Sequence, residues 1–429
     1  MTYGRTINST LYSALTTTGM PTAQLTYNIT PSSACATQFP KVYADATSVA
    51  ACPSNKPSIL YFAKDFQSPM VYHVNLSLDR QLTSTTALQL SYLGSFGRDL
   101  PLFVDTNISD KPGDVTTATY AVCGVNGNGS TDLKSCYTPG AGQPIQTGTY
   151  TAPFYTARLH NGLATDPRAT TDPLWNQFGA MTEVRNAGTS NYNALVVQVN
   201  RRMAKHFMYN ANFTWSHAID FGQNNTNPST ANGVLDPYNL DQEKGNSNQN
   251  VPRRFVFSAV AESPWKVSGW LGNFVNDWQI APLWQWQNGL PYSVKTSGTP
   301  SGVFSGGGAI NGANGDYRIY GGRNYYQQPN TQVWDLKLSK SVKFRERYSA
   351  EFSSEVFNVF NHQNVTSINS TAYYIGTAAT TTVTTSGQTI TAGTKTLTYN
   401  TGAYGLPTNA NSNYAYSPRQ VQLGVKVKF

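Results

Sequence analysis

Charge is what this 429-residue chain is shortest of: Asp, Glu, Lys and Arg make up 12% of it, where an ordinary soluble domain carries roughly 25%. Disorder does not follow, because disorder also needs few aromatics and the chain has 26 Tyr, 19 Phe and 8 Trp. Long apolar runs are missing as well. A membrane-spanning helix takes about 18 or more apolar residues in succession, and stretches such as Phe255 to Ala261 stop far short of that, which excludes a helical membrane protein. Residues 1–20 have no basic start, apolar centre or small-residue cleavage site, the parts of a secretory signal, so the chain as written is not expected to address itself for export. Histidine is scarce, at five residues, and no HExxH, GxSxG or phosphate-loop motif occurs, which speaks against the common hydrolytic and phosphate-binding chemistries. The net charge of +8 is scattered rather than gathered into a stripe, and this argues against nucleic acid as a partner. No charged linker or low-complexity tract divides residues 1–429, which read as one region.

What the chain does have is strict alternation. At the C-terminus Val421, Leu423, Val425, Val427 and Phe429 alternate with Gln420, Gln422, Gly424, Lys426 and Lys428. Phe207, Tyr209, Ala211, Phe213 and Trp215 alternate with Met208, Asn210, Asn212, Thr214 and Ser216, and Tyr72, Val74, Leu76 and Leu78 with His73, Asn75, Ser77 and Asp79. A period of two is the signature of a strand with one apolar face. Strands are expected near 70–82, 85–98, 190–202, 207–220, 253–264, 277–291, 331–344, 347–360 and 418–429. Pro282, which cannot donate to a ladder, and Lys340, on the apolar side, fit this pattern poorly.

Soluble β-sandwiches alternate too, but the links between these segments are unusual. Those at 83–84, 203–206 and 345–346 are very short and that at 265–276 is moderate. Those at 99–189, 221–252, 292–330 and 361–417 are long and fall strictly between the others. Antiparallel strands place successive links at opposite ends, so one end carries turns and the other long loops, as in transmembrane β-barrels. Cys35 and Cys52 precede the first clear strand, and Cys123 and Cys136 share the first long link. Two local pairs on the long-loop side are expected to be disulfides formed outside the cytosol. Four free thiols is the other reading.

The segments SNYNALVVQVNRR (190–202), FTWSHAID (213–220), RRFVFSAV (253–260), DWQIAPLWQWQNGLPYSV (277–294), AEFSSEVFNVFNHQNV (350–365) and RQVQLGVKVKF (419–429) together resemble the C-terminal half of an outer-membrane TonB-dependent receptor, in particular the large Oar-like receptors of acidobacteria. The resemblance implies an all-β fold, a transmembrane antiparallel barrel of about 22 strands of which this chain supplies about ten at the C-terminal end. In that family a plug fills the barrel and a short segment engages TonB; neither is expected within residues 1–429, so the chain is expected to be a fragment that transports nothing alone. The implied location is the bacterial outer membrane, with the lipid bilayer, the barrel-assembly machinery and a nutrient ligand (carbohydrate, peptide or chelate) as partners, and TonB only through the N-terminal part. Val421, Leu423, Val425, Val427 and Phe429 are implied to be the signal that the assembly machinery reads. An adhesion protein whose loops bind partners without transport is the alternative.

No residue is singled out for catalysis, cofactor or metal. His217 and Asp220 lie close at a strand end, as an acid–base pair would, but a polar rim accounts for them. Asn126, Asn128, Ser130 and Asp132 alternate like calcium ligands with a single carboxylate, which a turn explains more simply. Ligand contact is expected from Tyr317, Tyr320, Arg323, Tyr325 and Tyr326, because aromatic faces with interspersed donors suit sugars or peptides. Trp215, Trp278, Trp284 and Trp286 are expected in the aromatic girdles at the membrane interfaces.

Overall fold

The computed structural model describes residues 2–5, 24–27, 54–112, 115–123, 149–155, 158–160, 167–175, 178–222, 234, 236–297, 322–344, 348–377, 383–385, 388–390, 395–399, 403–411 and 416–428. Ten strands pair in chain order within one sheet: β1 (Thr2–Arg5), β2 (Met70–Gln81), β3 (Thr86–Asp105), β4 (Met181–Ala204), β5 (Phe207–Asp220), β6 (Arg253–Glu262), β7 (Trp278–Gln287), β8 (Thr331–Phe344), β9 (Tyr348–Phe357) and β10 (Gln420–Lys428). Every neighbouring pair is antiparallel. Links therefore alternate between two ends, the turns 82–85, 205–206, 263–277 and 345–347 at one and the long links at the other. Lys205 and His206 close the tightest turn with φ of 50° and 64°, the left-handed region that two-residue hairpins need.

From β2 to β10 the register carries one mainly apolar face. Leu78, Leu90, Val197, Phe213, Phe255 and Trp286 are successive cross-strand partners, as are Ile280, Leu338, Ser354 and Leu423. Because side chains alternate across the sheet, the intervening rows point the other way. One such row reads Asp79, Gln89, Gln198, Asn212, Val256 and Gln285, and on the same face Lys337 pairs with Glu355. The apolar face is the open one: Leu76 is 71% exposed, Trp215 60% and Leu423 77%. A soluble sheet turns its apolar face to a core; this one turns it outward.

The buried core lies beyond the sheet, at its long-link end. β3 and β4 run further than the alternation predicted, pairing on from Leu100–Gly188 to Asp105–Thr182 after a register shift between Gly97 and Pro101. There Phe103 and Val184 are fully buried against Phe62 and Phe66, and Leu102 and Val104 pack with Phe221 and Val234. A parallel strand, Ser54–Phe62, joins β4 over Ile59–Phe62. A second, five-stranded sheet draws on three long links, in the order Lys295–Ser297, Thr371–Thr377, Lys395–Tyr399, Val115–Cys123 and Thr149–Tyr155. The links are thus not the plain loops their composition predicts. β7 and β9 end sooner than expected, at Gln287 and Phe357.

Pro282 needs no bulge. It pairs with Leu336 in unbroken register on the β8 side, while on the β6 side the ladder skips from Ser258–Leu283 to Ala261–Ile280 without a shift. Lys340 folds beneath Trp278: its ammonium lies 5.7 Å from the indole centroid and donates to the Asn276 carbonyl. The side chain thereby reaches the polar end of its strand, as amphipathic side chains do at an apolar boundary.

Candidate ligand-binding rim

Asparagine organises the long-link end, because its amide copies a peptide group and can replace a missing strand. Asn364 is fully buried; its Oδ1 accepts from Gln332 N at 2.7 Å and its Nδ2 donates to Gln332 O at 2.9 Å, completing β8 where no neighbour continues. Asn358 donates to His362 O and Ser417 O, both at 3.0 Å, and Asn250 Oδ1 accepts from Ala218 N at 2.8 Å. Asn107 Nδ2 donates to Gly179 O and its Oδ1 accepts from His160 N.

Arg323 forms the second tie. Its guanidinium is 8% exposed, pairs with Asp220, and donates from Nε to Glu243 O at 2.7 Å and from Nη2 to Gly245 O at 3.1 Å. Gly222, at φ +68°, leaves room for it, since a Cβ there would lie 2.4 Å from Nη1. Arg323, expected to contact ligand, ties the link 292–330 to the link 221–252 and to the end of β5. The neighbouring Asn324 does similar work, donating to Asn246 O at 2.8 Å and Asn248 Oδ1 at 2.6 Å.

A tyrosine group sits on this scaffold. Tyr326 lies 5.8 Å from Tyr292 and 5.2 Å from Tyr325 between ring centroids, the second pair edge-to-face, and the Tyr292 and Tyr404 hydroxyls are 3.4 Å apart. Tyr325 is 65% exposed. The sequence does not single out Tyr292, at the start of the same link, or Tyr404, in the link 361–417. Tyr317 and Tyr320 lie outside the described residues, as do Cys35, Cys52, Cys136, Phe429 and the Asn126–Asp132 run; Cys123 ends a strand of which the backbone alone is described.

His217 and Asp220 do not act together. His217 Nε2 meets Asn246 Oδ1 at 2.9 Å and Asp220 is held by Arg323. Among the described residues the nearest approach to an acid–base pair is His160 Nδ1 to Asp172 Oδ2, 2.5 Å, and the His160 hydrogen bond holds the Asp172 carboxyl below the usual carboxylate range. Nearby, Arg158 pairs with Asp105 at 2.7 Å, whose Oδ1 also accepts from Asn107 N and Met181 N. These contacts clip the link to the β3–β4 extension. No group of three metal-ligating side chains occurs among the described residues.

The four tryptophans all fall on the apolar face. Trp215, Trp284 and Trp286 stand toward the long-link end and Trp278 at the turn end. Trp284 stacks on Trp334 at 4.7 Å and 11°, and Trp278 Nε1 donates to Phe274 O at 2.6 Å. Val421, Leu423, Val425 and Val427 share that face on β10, each at least 60% exposed.

Three solved structures are similar in part. The outer membrane transporter YddB from Escherichia coli aligns with 88% of this chain and 35% of its own, at 10% identity and a TM-score of 0.37. The FrpB iron transporter from Neisseria meningitidis aligns with 86% and 33% at 11% identity and 0.35, and the copper transporter OprC with 70% and 26% at 9% identity and 0.29. The chain thus spans about a third of the length of the first of these. No curated protein matches it in sequence. The model of the outer membrane β-barrel domain matches residues 1–422, and with an apolar face turned outward this agrees with location in the bacterial outer membrane. The chain belongs to the outer membrane β-barrel domain family.

Proposed function

We propose that the chain forms the wall and the outer binding rim of an uptake receptor, with the sheet part of a closed barrel, the turn end in the periplasm and the long links outside. The observation that carries this reading is the division of the sheet into an outward apolar face and an opposite face lined by Gln89, Gln198, Asn200, Asn210 and Asn212. A lipid-facing wall needs the first, and a path for a polar solute needs the second. The ligand class we favour is a neutral carbohydrate or peptide, met at the rim by Tyr325 and Tyr326 with Tyr292 beside them, and with Tyr317 and Tyr320 from the same link; a chelate is the third class. The Oar-like affiliation, entry of Phe429 and its strand into the assembly machinery, engagement of TonB through a segment outside residues 1–429, the two disulfides and the tryptophan girdles belong to the same proposal. It is tested by measuring binding of labelled oligosaccharides, peptides and chelates to cells displaying the protein, with Tyr325→Ala and Tyr326→Ala as variants. The expected outcome is saturable binding of one class, weakened about fivefold by either variant, as the loss of a stacking contact worth about 1 kcal/mol implies. Equal binding by all forms would refute the rim as the site.

A further inference from the structure

The link from β6 to β7 is built rather than loose. Asn276 and Val267 exchange two hydrogen bonds of 2.8 Å, Val267 N to Oδ1 and Nδ2 to Val267 O, which pinches residues 267–276 into a closed loop. Inside it Gly272–Val275 forms one helical turn, and Gly272 is packed so closely that a Cβ would meet Val267 O at 2.1 Å. On this rigid frame stand Trp270 at 72% exposure and Phe274 at 68%, in edge-to-face contact at 6.2 Å, with Leu271 and Val267 also exposed. No charged residue lies between Lys266 and Asp277. Water gives no reason to order a closed loop around two bare aromatics.

Its position shows what covers it. Trp278 and Lys340, both on the apolar face, hold the loop from that side, through Trp278 Nε1 to Phe274 O and Lys340 Nζ to Asn276 O. Trp270 and Phe274 therefore continue the lipid-facing surface past the end of the strands. We infer that residues 267–275 are a foot that inserts Trp270 and Phe274 into the headgroup–acyl boundary of the membrane leaflet at the turn end. An indole, with its apolar body and polar N–H, settles at that depth, and phenylalanine accompanies it on the buried face of interfacial segments. The foot fixes the height of β6 and β7 in the bilayer, and Lys266 at its base meets anionic phospholipid headgroups.

The inference rests on the membrane reading of the apolar face, and one experiment separates the two. The photocrosslinker p-benzoylphenylalanine is placed singly at Trp270, Phe274, Leu423 and Gln285 in the protein as inserted in bacterial outer membranes containing radiolabelled phospholipid, and adducts are sorted by mass after illumination. Phospholipid adducts at positions 270 and 274 matching those at 423, with none at 285, are the expected result. Adducts at 423 but none at 270 and 274, or protein adducts there instead, overturn the foot and leave the outward face intact. An absence of lipid adducts at 423 overturns the membrane reading and the foot with it.

Discussion

Asn364 shows how a single side chain stands in for a strand. Fully buried, it returns both backbone bonds of Gln332 and takes a third from Asn411, whose Oδ1 accepts Asn364 N at 2.9 Å. Asn364→Ala leaves the Gln332 amide and carbonyl without partners, and buried groups so stranded cost about 1–3 kcal/mol. The loss is expected as faster hydrogen exchange at Gln332 and Val333, with β9 and β10 unchanged. Asn364→Asp is expected to do no better, since a carboxylate cannot donate to Gln332 O. The sequence shows that the links are rich in Asn but not which Asn is buried. Arg323 illustrates the same limit: among tyrosines it reads as a ligand donor, and only the fold brings Asp220, Glu243 and Gly245 around it.

Among the elements, the extension of β3 and β4 is the part whose stability comes from a conventional core. Phe103 is completely buried, and truncating such a side chain costs about 3–5 kcal/mol. Phe103→Ala is therefore expected to open residues 99–105 and 181–189 to limited proteolysis while the pairing of Thr86–Gly97 with Ser190–Arg201 survives. The lower parts of these strands were legible because one side of each residue row faces an apolar medium and the other does not, and the alternation records that difference. Above Gly97 protein covers both sides, so the run from Leu100 to Val104 shows no period of two and its sequence reads as part of a loop. The turn end was legible in its short links and not in residues 267–276, whose shape depends on Asn276 closing back on Val267.

At the scale of the molecule, the outward face predicts where charge is forbidden. Val197, on β4 between its cross-strand partners Leu90 and Phe213, lies within the apolar band. Val197→Arg is expected to destabilise the inserted protein by about 2–4 kcal/mol, the cost of a cationic side chain at mid-bilayer on the lipid face. Gln198→Arg, one residue on and on the opposite face, is expected to cost far less. Urea midpoints in phospholipid vesicles, read by heat-modifiable migration, compare the two; equal losses would mean the faces are assigned wrongly.

The ladder between β3 and β4 is interrupted at one height only. Below Gly97–Ser190 and above Pro101–Asn186 the strands are in the same register, and between them lie Leu100–Gly188 and the unpaired Asp99, whose φ is 54°. Arg98 closes the last pair below the gap by donating to Gly97 O at 2.7 Å and Ser190 O at 3.1 Å, and Asn186 Nδ2 from above donates to Asp99 O at 2.9 Å. Such a break is where a twisted ribbon bends most cheaply. The upper hairpin, with Phe103, Asp105 and the clipped link attached, is thus a stiff arm on a compliant elbow. Bending at that height is expected to tilt the upper pairs while the rungs from Thr86–Arg201 to Gly97–Ser190 stay closed.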